Sequence, residues 1–238
     1  MIRAIVFDFG QTLVDSADGF RTAEKEAQRN TCAVLGLTED EAFLTVYREI
    51  RSRFHARSDF SRKRLLEAVF RHYGREPETA LLEQWETGYW KRIKAMTRVF
   101  PEVESVLTAL QGRYRLALIT NAQGQTVEGK HRLGNYPELK KFFEVILVAG
   151  EGGIPPKPDP LPFRLCLDQL GIAPDEAVYV GDDWRIDVCG SEAVGMHPVW
   201  LRHRSLRRNW PQVETEAPVI DSLELLLDIE YLIPGGKK

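Results

Sequence analysis

Cysteine is scarce in this chain of 238 residues: Cys32, Cys166 and Cys189 are the only three, and no two stand in a Cys-x-x-Cys spacing. An odd count without such a pair offers neither a disulfide framework nor a thiolate metal site. It points to small buried residues in a reducing compartment. Long apolar runs are also missing. No stretch approaches the ~20 residues of a membrane-spanning helix, and Arg3 is followed by too few apolar residues before Asp8 to make a secretory signal. Nor does one sign of charge dominate. Lys and Arg number 32 against 35 Asp and Glu, a net charge of −3, so no overall field draws nucleic acid or an anionic membrane. Neither an internal repeat nor a low-complexity tract is visible. These absences predict a cytoplasmic globular protein with no nucleic-acid and no membrane partner. The length suits one large domain, or a core with a smaller insertion.

What is present begins at the front of the chain. Ile5-Val6-Phe7 leads straight into Asp8, and a tight polar stretch, Gly10-Gln11-Thr12, follows. That pattern predicts a buried strand delivering Asp8 to its carboxyl end, where open α/β sheets bind ligands. From Asp15-Ser16 to about Thr97 the chain is helical in character, with turn signals at Gly36-Leu37-Thr38-Glu39-Asp40 and Gly74-Arg75-Glu76-Pro77-Glu78. Thr38 with Glu41 predicts a helix N-cap and its capping-box partner. After Phe100-Pro101 apolar runs alternate with helices. Leu116–Ile119, Val145–Val148, Ala177–Val180 and Pro198–Leu201 read as fully buried strands, with helices at roughly Glu102–Gln111, Leu161–Leu170 and Asp187–Val194. Such alternation predicts an α/β fold with a parallel sheet covered on both faces.

Chemistry-bearing residues stand where those strands end. Asp8-Phe9-Gly10 spells a kinase element, but no Gly-rich or catalytic loop can precede it so early. Leu118-Ile119-Thr120-Asn121 ends a strand in a hydroxyl; alone it is ordinary turn chemistry. Lys157-Pro158-Asp159-Pro160 places a lysine before a proline-opened helix. Gly181-Asp182-Asp183-Trp184-Arg185-Ile186-Asp187 crowds carboxylates at a strand end, which is costly without a cation and suggests a metal. In this order, the four segments resemble the motifs of the haloacid dehalogenase-like superfamily. The resemblance covers most of the chain. It implies a doubly wound, Rossmann-like core from residues 1–15 and 98–238, and an all-helical cap inserted over residues 16–97.

The same resemblance implies a hydrolase, a phosphatase acting on a small phosphorylated molecule with Mg²⁺. Asp8 would be the nucleophile, with Thr120 and Lys157 binding the phosphoryl oxygens. The metal ligands would be the Asp8 carboxylate, the Gly10 carbonyl and Asp182. Asp187 would orient metal-bound water or Lys157; Asp183 is either a rival for that role or simply solvated. Asn121 stands beside the phosphate-binding hydroxyl.

One departure from the superfamily's pattern bears on the activity. The superfamily's second Asp, its general acid/base, is replaced here by Gly10. Its contribution is typically ~10²–10⁴-fold. Another group could take its place, although Gln11 is no acid; the leaving group could need no proton; or the chain could be a weak, ligand- or partner-binding member. The 2-haloacid dehalogenases also replace that Asp, but they lack the Gly-Asp-Asp segment. The phosphonate-cleaving branch would need a Schiff-base lysine, for which Lys25 and Lys63 qualify by type alone. In the cap, Arg48, Arg51, Arg53, His55, Arg57, Arg62, Lys63 and Arg64 read as a solvated helix face with its loop, or as an entrance for an anionic substrate. Trp85, Tyr89 and Trp90 read as cap core. His72, His131, His197 and His203 form no metal-ligand pattern.

Overall fold

Short apolar runs without alternation become interior strands, and their order places the strand ends. The computed structural model describes residues 1–122, 132–206 and 209–228; His131 lies outside them. Its strands are β1 (Ala4–Phe7), β2 (Val14–Asp15), β3 (Arg98–Val99), β4 (Arg115–Asn121), β5 (Val145–Ala149), β6 (Ala177–Gly181), β7 (His197–Leu201) and β8 (Val219–Ile220). The helices are α1 (Ala17–Leu35), α2 (Glu41–Ala56), α3 (Arg62–His72), α4 (Thr79–Met96), α5 (Val103–Gln111), α6 (Pro137–Lys140), α7 (Pro160–Leu170) and α8 (Cys189–Glu192). Two compact units result. One holds Met1–Asp15, Arg98–Ala122 and the described residues from 132 onward; the other is Ser16–Thr97. No helix among the described residues is long and apolar enough to cross a membrane.

The first unit is built on a six-stranded sheet in the order β5-β4-β1-β6-β7-β8. Every neighbouring pair is parallel, with Ile5 opposite Leu116 on one side and Val178 on the other. The chain runs outward from β1 through β4 to β5, then crosses to β6 and runs outward again. Beside β1 and β6 the winding reverses, which is where open α/β sheets leave a crevice at their carboxyl ends. Ala4, Val6, Ala117, Ile119, Tyr179 and their row-mates pack with Phe163, Cys166, Leu167 and Leu170 of α7. A Cβ on Gly190 would lie 2.9 Å from the Phe163 ring, so that glycine lets α8 approach α7 closely.

Some elements differ from the expectation. β5 is not fully buried: Ile146 is exposed, because β5 is a sheet edge. Two residues each suffice for β2 and β3, which pair antiparallel where the chain leaves this unit and returns to it. Segments so short carry no period that a sequence could display. His203 is buried, stacked on Phe100 at 3.8 Å, with Nε2 2.7 Å from Glu102 Oε1.

The helical unit has its own core. Along α1, Gly19, Ala23, Ala27 and Thr31 recur every four residues and are buried. A Cβ on Gly19 would sit 3.0 Å from Ile93 Cα, so α1 and α4 meet at backbone distance. Phe43, Tyr47 and Ile50 of α2, Leu65, Leu66, Val69 and Phe70 of α3, and Leu82, Tyr89 and Ile93 of α4 complete the core, with Trp85 and Trp90 packed against it. Helix α2 is capped by Asp40, whose carboxylate accepts from Phe43 N at 3.0 Å, rather than by Thr38. Both residue types cap well, and the helix simply begins two residues later.

The basic run is not uniformly a solvated face. Arg62 is buried. Its guanidinium lies 4.9 Å from the Tyr89 ring centre and 3.6 Å from Glu24, while Tyr89 donates its hydroxyl to Glu24 at 2.9 Å and Arg51 approaches to 3.5 Å. Glu24, Arg51, Arg62 and Tyr89 come from α1, α2, α3 and α4 in turn. Burial pushes the Glu24 carboxyl up, but Arg62, Arg51 and the Tyr89 hydroxyl outweigh it and leave the pKa below the usual value. Because the folded pKa is depressed, this contribution is full above the unfolded glutamate range and is lost as pH falls through the folded value. Glu24→Gln should therefore destabilise the protein by about 3 kcal/mol at neutral pH, as expected when a buried pair loses one partner. It should also flatten the acid limb of stability. Urea titrations across acid and neutral pH check both; equal acid sensitivity in the two proteins would refute the assignment.

Candidate active site

Strand β1 ends at Phe7, and Asp8 follows with its N–H donating to Val180 O at 2.9 Å. The next residues turn sharply. Gln11 adopts φ +63°, Gln11 N donates to Val14 O at 2.8 Å, and Leu13 N donates to Phe9 O at 2.9 Å. Gly10 sits half-buried in this turn, bridged to Val14. Thr120 is buried at the end of β4. Its neighbour Asn121 accepts from Lys157 N at 2.8 Å and donates to Lys157 O at 3.1 Å. That two-way clamp fixes the backbone of the loop carrying Lys157.

Lys157 is only 1% exposed. Its ammonium lies 2.8 Å from Asp8 Oδ1, 2.7 Å from Asp187 Oδ1, 2.7 Å from the Tyr179 hydroxyl and 3.0 Å from Ile119 O. Burial pulls its pKa down, yet the Asp187 and Asp8 carboxylates prevail and hold it well above the usual lysine value. The lysine is therefore a fixed positive charge beside Asp8. Burial pushes the Asp187 carboxyl up, against the pull of Lys157.

Asp187 reaches this position through an unusual turn. In place of the expected helix from Asp187 to Val194, residues Trp184–Val188 form one wide π-helical turn, followed by the short α8. Asp183 builds that turn. Its carboxylate accepts from Ile186 N at 2.9 Å, its carbonyl accepts from Asp187 N at 2.8 Å, and its own N–H donates to Asp187 Oδ2 at 3.0 Å. π-Helical turns often mark functional sites. Gly181 leaves the space: a Cβ there would lie 2.4 Å from Asp187 Cβ.

The structure thus brings together Asp8, Lys157, Asp182 and Asp187. Carboxylate oxygens of Asp8, Asp182 and Asp187 lie within 4.8 Å of one another, all buried. Two of these carboxylates, Asp8 and Asp187, contact the ammonium, and the hard oxygens of all three suit a divalent cation such as Mg²⁺. Thr120 stands near the end of β4, and Gly10 lies in the turn after the neighbouring β1. The Asp183 carboxylate is engaged by Ile186 N within the turn. Two further contributors belong to no sequence motif. Tyr179 holds the lysine, and Trp200 donates its indole N–H to Asp182 O at 3.0 Å. Both sit in strands that read as apolar, so the one signal was a polar-tipped aromatic among small residues, two positions before Gly181 in the case of Tyr179.

The chain matches the family model of the haloacid dehalogenase-like hydrolases over residues 2–195. A glyceraldehyde 3-phosphate phosphatase from Methanopyrus kandleri is 29% identical over 236 residues, spanning 96% of this chain and 97% of that protein. The crystal structure of an HAD phosphatase from Thermococcus onnurineus has a TM-score of 0.68 at 23% identity and covers 99% of each chain, a likeness of fold. A 2-haloacid dehalogenase from Pseudomonas syringae has a TM-score of 0.64 at 27% identity, over 96% of this chain and 98% of that one.

The contact between Gly181 and Asp187 can be tested directly. Gly181→Ala should force Asp187 off Lys157, because the atom it meets is a Cβ close to the backbone rather than a pliant side-chain tip. Overpacking of this kind costs about 1–3 kcal/mol. Urea denaturation should register that loss, and an unchanged midpoint would show that Asp187 does not fold over Gly181.

Proposed function

The chain belongs to the haloacid dehalogenase-like hydrolase family, and on that premise we propose that it is a magnesium-dependent phosphatase of small phosphoric monoesters. The observation that carries this reading is the buried convergence of Asp8 and Asp187 on the Lys157 ammonium, with Asp182 alongside. The relative from Methanopyrus kandleri, matched along nearly the whole chain and named for a phosphatase activity, supports it. We read residues 16–97 as the helical cap and place the protein in the cytoplasm, in keeping with its free thiols at Cys32, Cys166 and Cys189.

In this mechanism an Asp8 carboxylate oxygen attacks phosphorus, the bond from phosphorus to the leaving oxygen breaks, and an aspartyl-phosphate forms. Water then attacks phosphorus and frees the Asp8 carboxylate. Lys157 and the Thr120 hydroxyl hold the non-bridging oxygens as negative charge spreads over them. Asp187 aligns Lys157, and Asn121 fixes its backbone. Asp8, Asp182 and the Gly10 carbonyl would hold magnesium, which when bound offsets charge on the attacking carboxylate and the phosphoryl group. Gly10 leaves this turn without a carboxyl to protonate the departing oxygen, so the best substrates are esters with good leaving groups.

A dehalogenase reading is favoured by two observations: halide departs without a proton, as Gly10 would permit, and the Pseudomonas syringae enzyme aligns over 96% of this chain. Assays of phosphate and halide release, each with and without EDTA, separate the two. Phosphate release lost on chelation is expected; halide release indifferent to chelation would replace the proposal. Silence in both, with measurable binding of phosphorylated ligands, would leave a binding protein.

Gly10 itself gives a sharper test. Aryl phosphates should turn over much faster than alkyl phosphates. Gly10→Asp should raise alkyl turnover, by as much as ~10²–10⁴-fold, and aryl turnover less. If both rates fall together, another group already supplies the proton and the turn has adapted to glycine.

A further inference from the structure

Four acceptors surround the Lys157 ammonium, but an ammonium has only three hydrogens. The acceptors are Asp8 Oδ1, Asp187 Oδ1, the Tyr179 hydroxyl and Ile119 O. Tyr179 resolves the shortage because its hydroxyl both accepts and donates. It lies 2.7 Å from Lys157 Nζ, 3.2 Å from Ile119 O and 3.3 Å from Asp187 Oδ1. The assignment that keeps both short lysine–carboxylate contacts satisfies every group. Lys157 donates to Asp8, Asp187 and Tyr179, and Tyr179 passes its own hydrogen to Ile119 O. Both side chains are wholly enclosed, so no water competes for these bonds.

From this we infer that Tyr179 is a positioning residue for the proposed phosphoryl transfer. The hydroxyl fixes which way the lysine hydrogens point. Two of them stay aimed at the carboxylates flanking the reacting centre, and the third is kept off the β4 carbonyl. Without the hydroxyl, that hydrogen passes to Ile119 O, already 3.0 Å away, and the ammonium turns about its stem, so the other two are no longer held on the carboxylates. Transition-state stabilisation depends on such placement more steeply than substrate binding does. The assignment rests on the phosphatase reading for its kinetic consequence but not for the contact itself.

Tyr179→Phe is the test, because it keeps the ring against Phe163, 5.1 Å away edge-to-face, and removes only the hydroxyl. With an aryl phosphate, kcat should fall about tenfold, the kinetic equivalent of losing a hydrogen bond to a charged group, while KM changes less than about twofold. A purely packing role predicts no change in kcat, and that result would overturn the inference; so would a loss confined to KM. A double-mutant cycle of Tyr179→Phe with Lys157→Met, read by urea denaturation, tests the contact whether or not the parent hydrolyses phosphate. Non-additive effects support it, and additive ones reject it. An inactive parent with a coupled cycle would remove the phosphatase reading and leave the Tyr179–Lys157 contact standing.

Discussion

The core depends on one buried cation. Lys157 is enclosed among groups from three adjacent strands and a turn: Asp8 after β1, Ile119 in β4, Tyr179 in β6 and Asp187 in the π-helical turn. A lone ammonium there would be prohibitively costly. It is tolerable because two carboxylates and two neutral oxygens converge on it, and they converge only when all four segments are in place. Strand order, the width of the turn after β6 and the lack of a side chain at Gly181 are therefore conditions for burying this charge as much as features of a sheet. Buried pairs of this kind seldom add net stability compared with apolar packing. What the arrangement secures is the placement of Asp8.

The helical unit solves a related problem with different chemistry. Glu24 and Arg62 are buried together, yet no single oxygen serves as a hub. The guanidinium leans on the face of Tyr89, and the carboxylate is shared among the Tyr89 hydroxyl and two arginines. Each helix supplies one member. Around that network the close packing of α1 on α4 through Gly19 and Ala23 does the apolar work.

Much of this was legible in the sequence, for stated physical reasons. Interior parallel strands read as unbroken apolar runs, so β1, β4, β6 and β7 stood out, and the polar residues at or just after their ends pointed to Asp8, Thr120 and Asp182; Lys157 and Asp187 were singled out by resemblance to the superfamily's motifs. What was not legible had a common cause: it depended on partners far away in the chain. Val14–Asp15 is a strand only because Arg98–Val99 lies beside it. Arg62 looks like any surface arginine until Glu24 and Tyr89 enclose it. Asp183 and Asp187 are both acidic and near a strand end, and only the wide turn decides that one caps and the other faces inward. Tyr179 belongs to an apolar strand by every local measure, and its hydroxyl matters because a lysine more than twenty positions earlier in the chain reaches it.

The Asn121 clamp carries a consequence for how this molecule ages. Asparagine side chains are lost when the next backbone nitrogen attacks their carboxamide and ammonia departs. Here both ends of the carboxamide are tied to the Lys157 peptide, and the nitrogen that would attack, that of Ala122, is bonded to Ala149 O at 2.6 Å. Attack would require three hydrogen bonds to open together. The product, an aspartate that can only accept, could not restore the bond to Lys157 O. The same geometry that holds the lysine loop in place thus shields its most perishable member from hydrolytic wear.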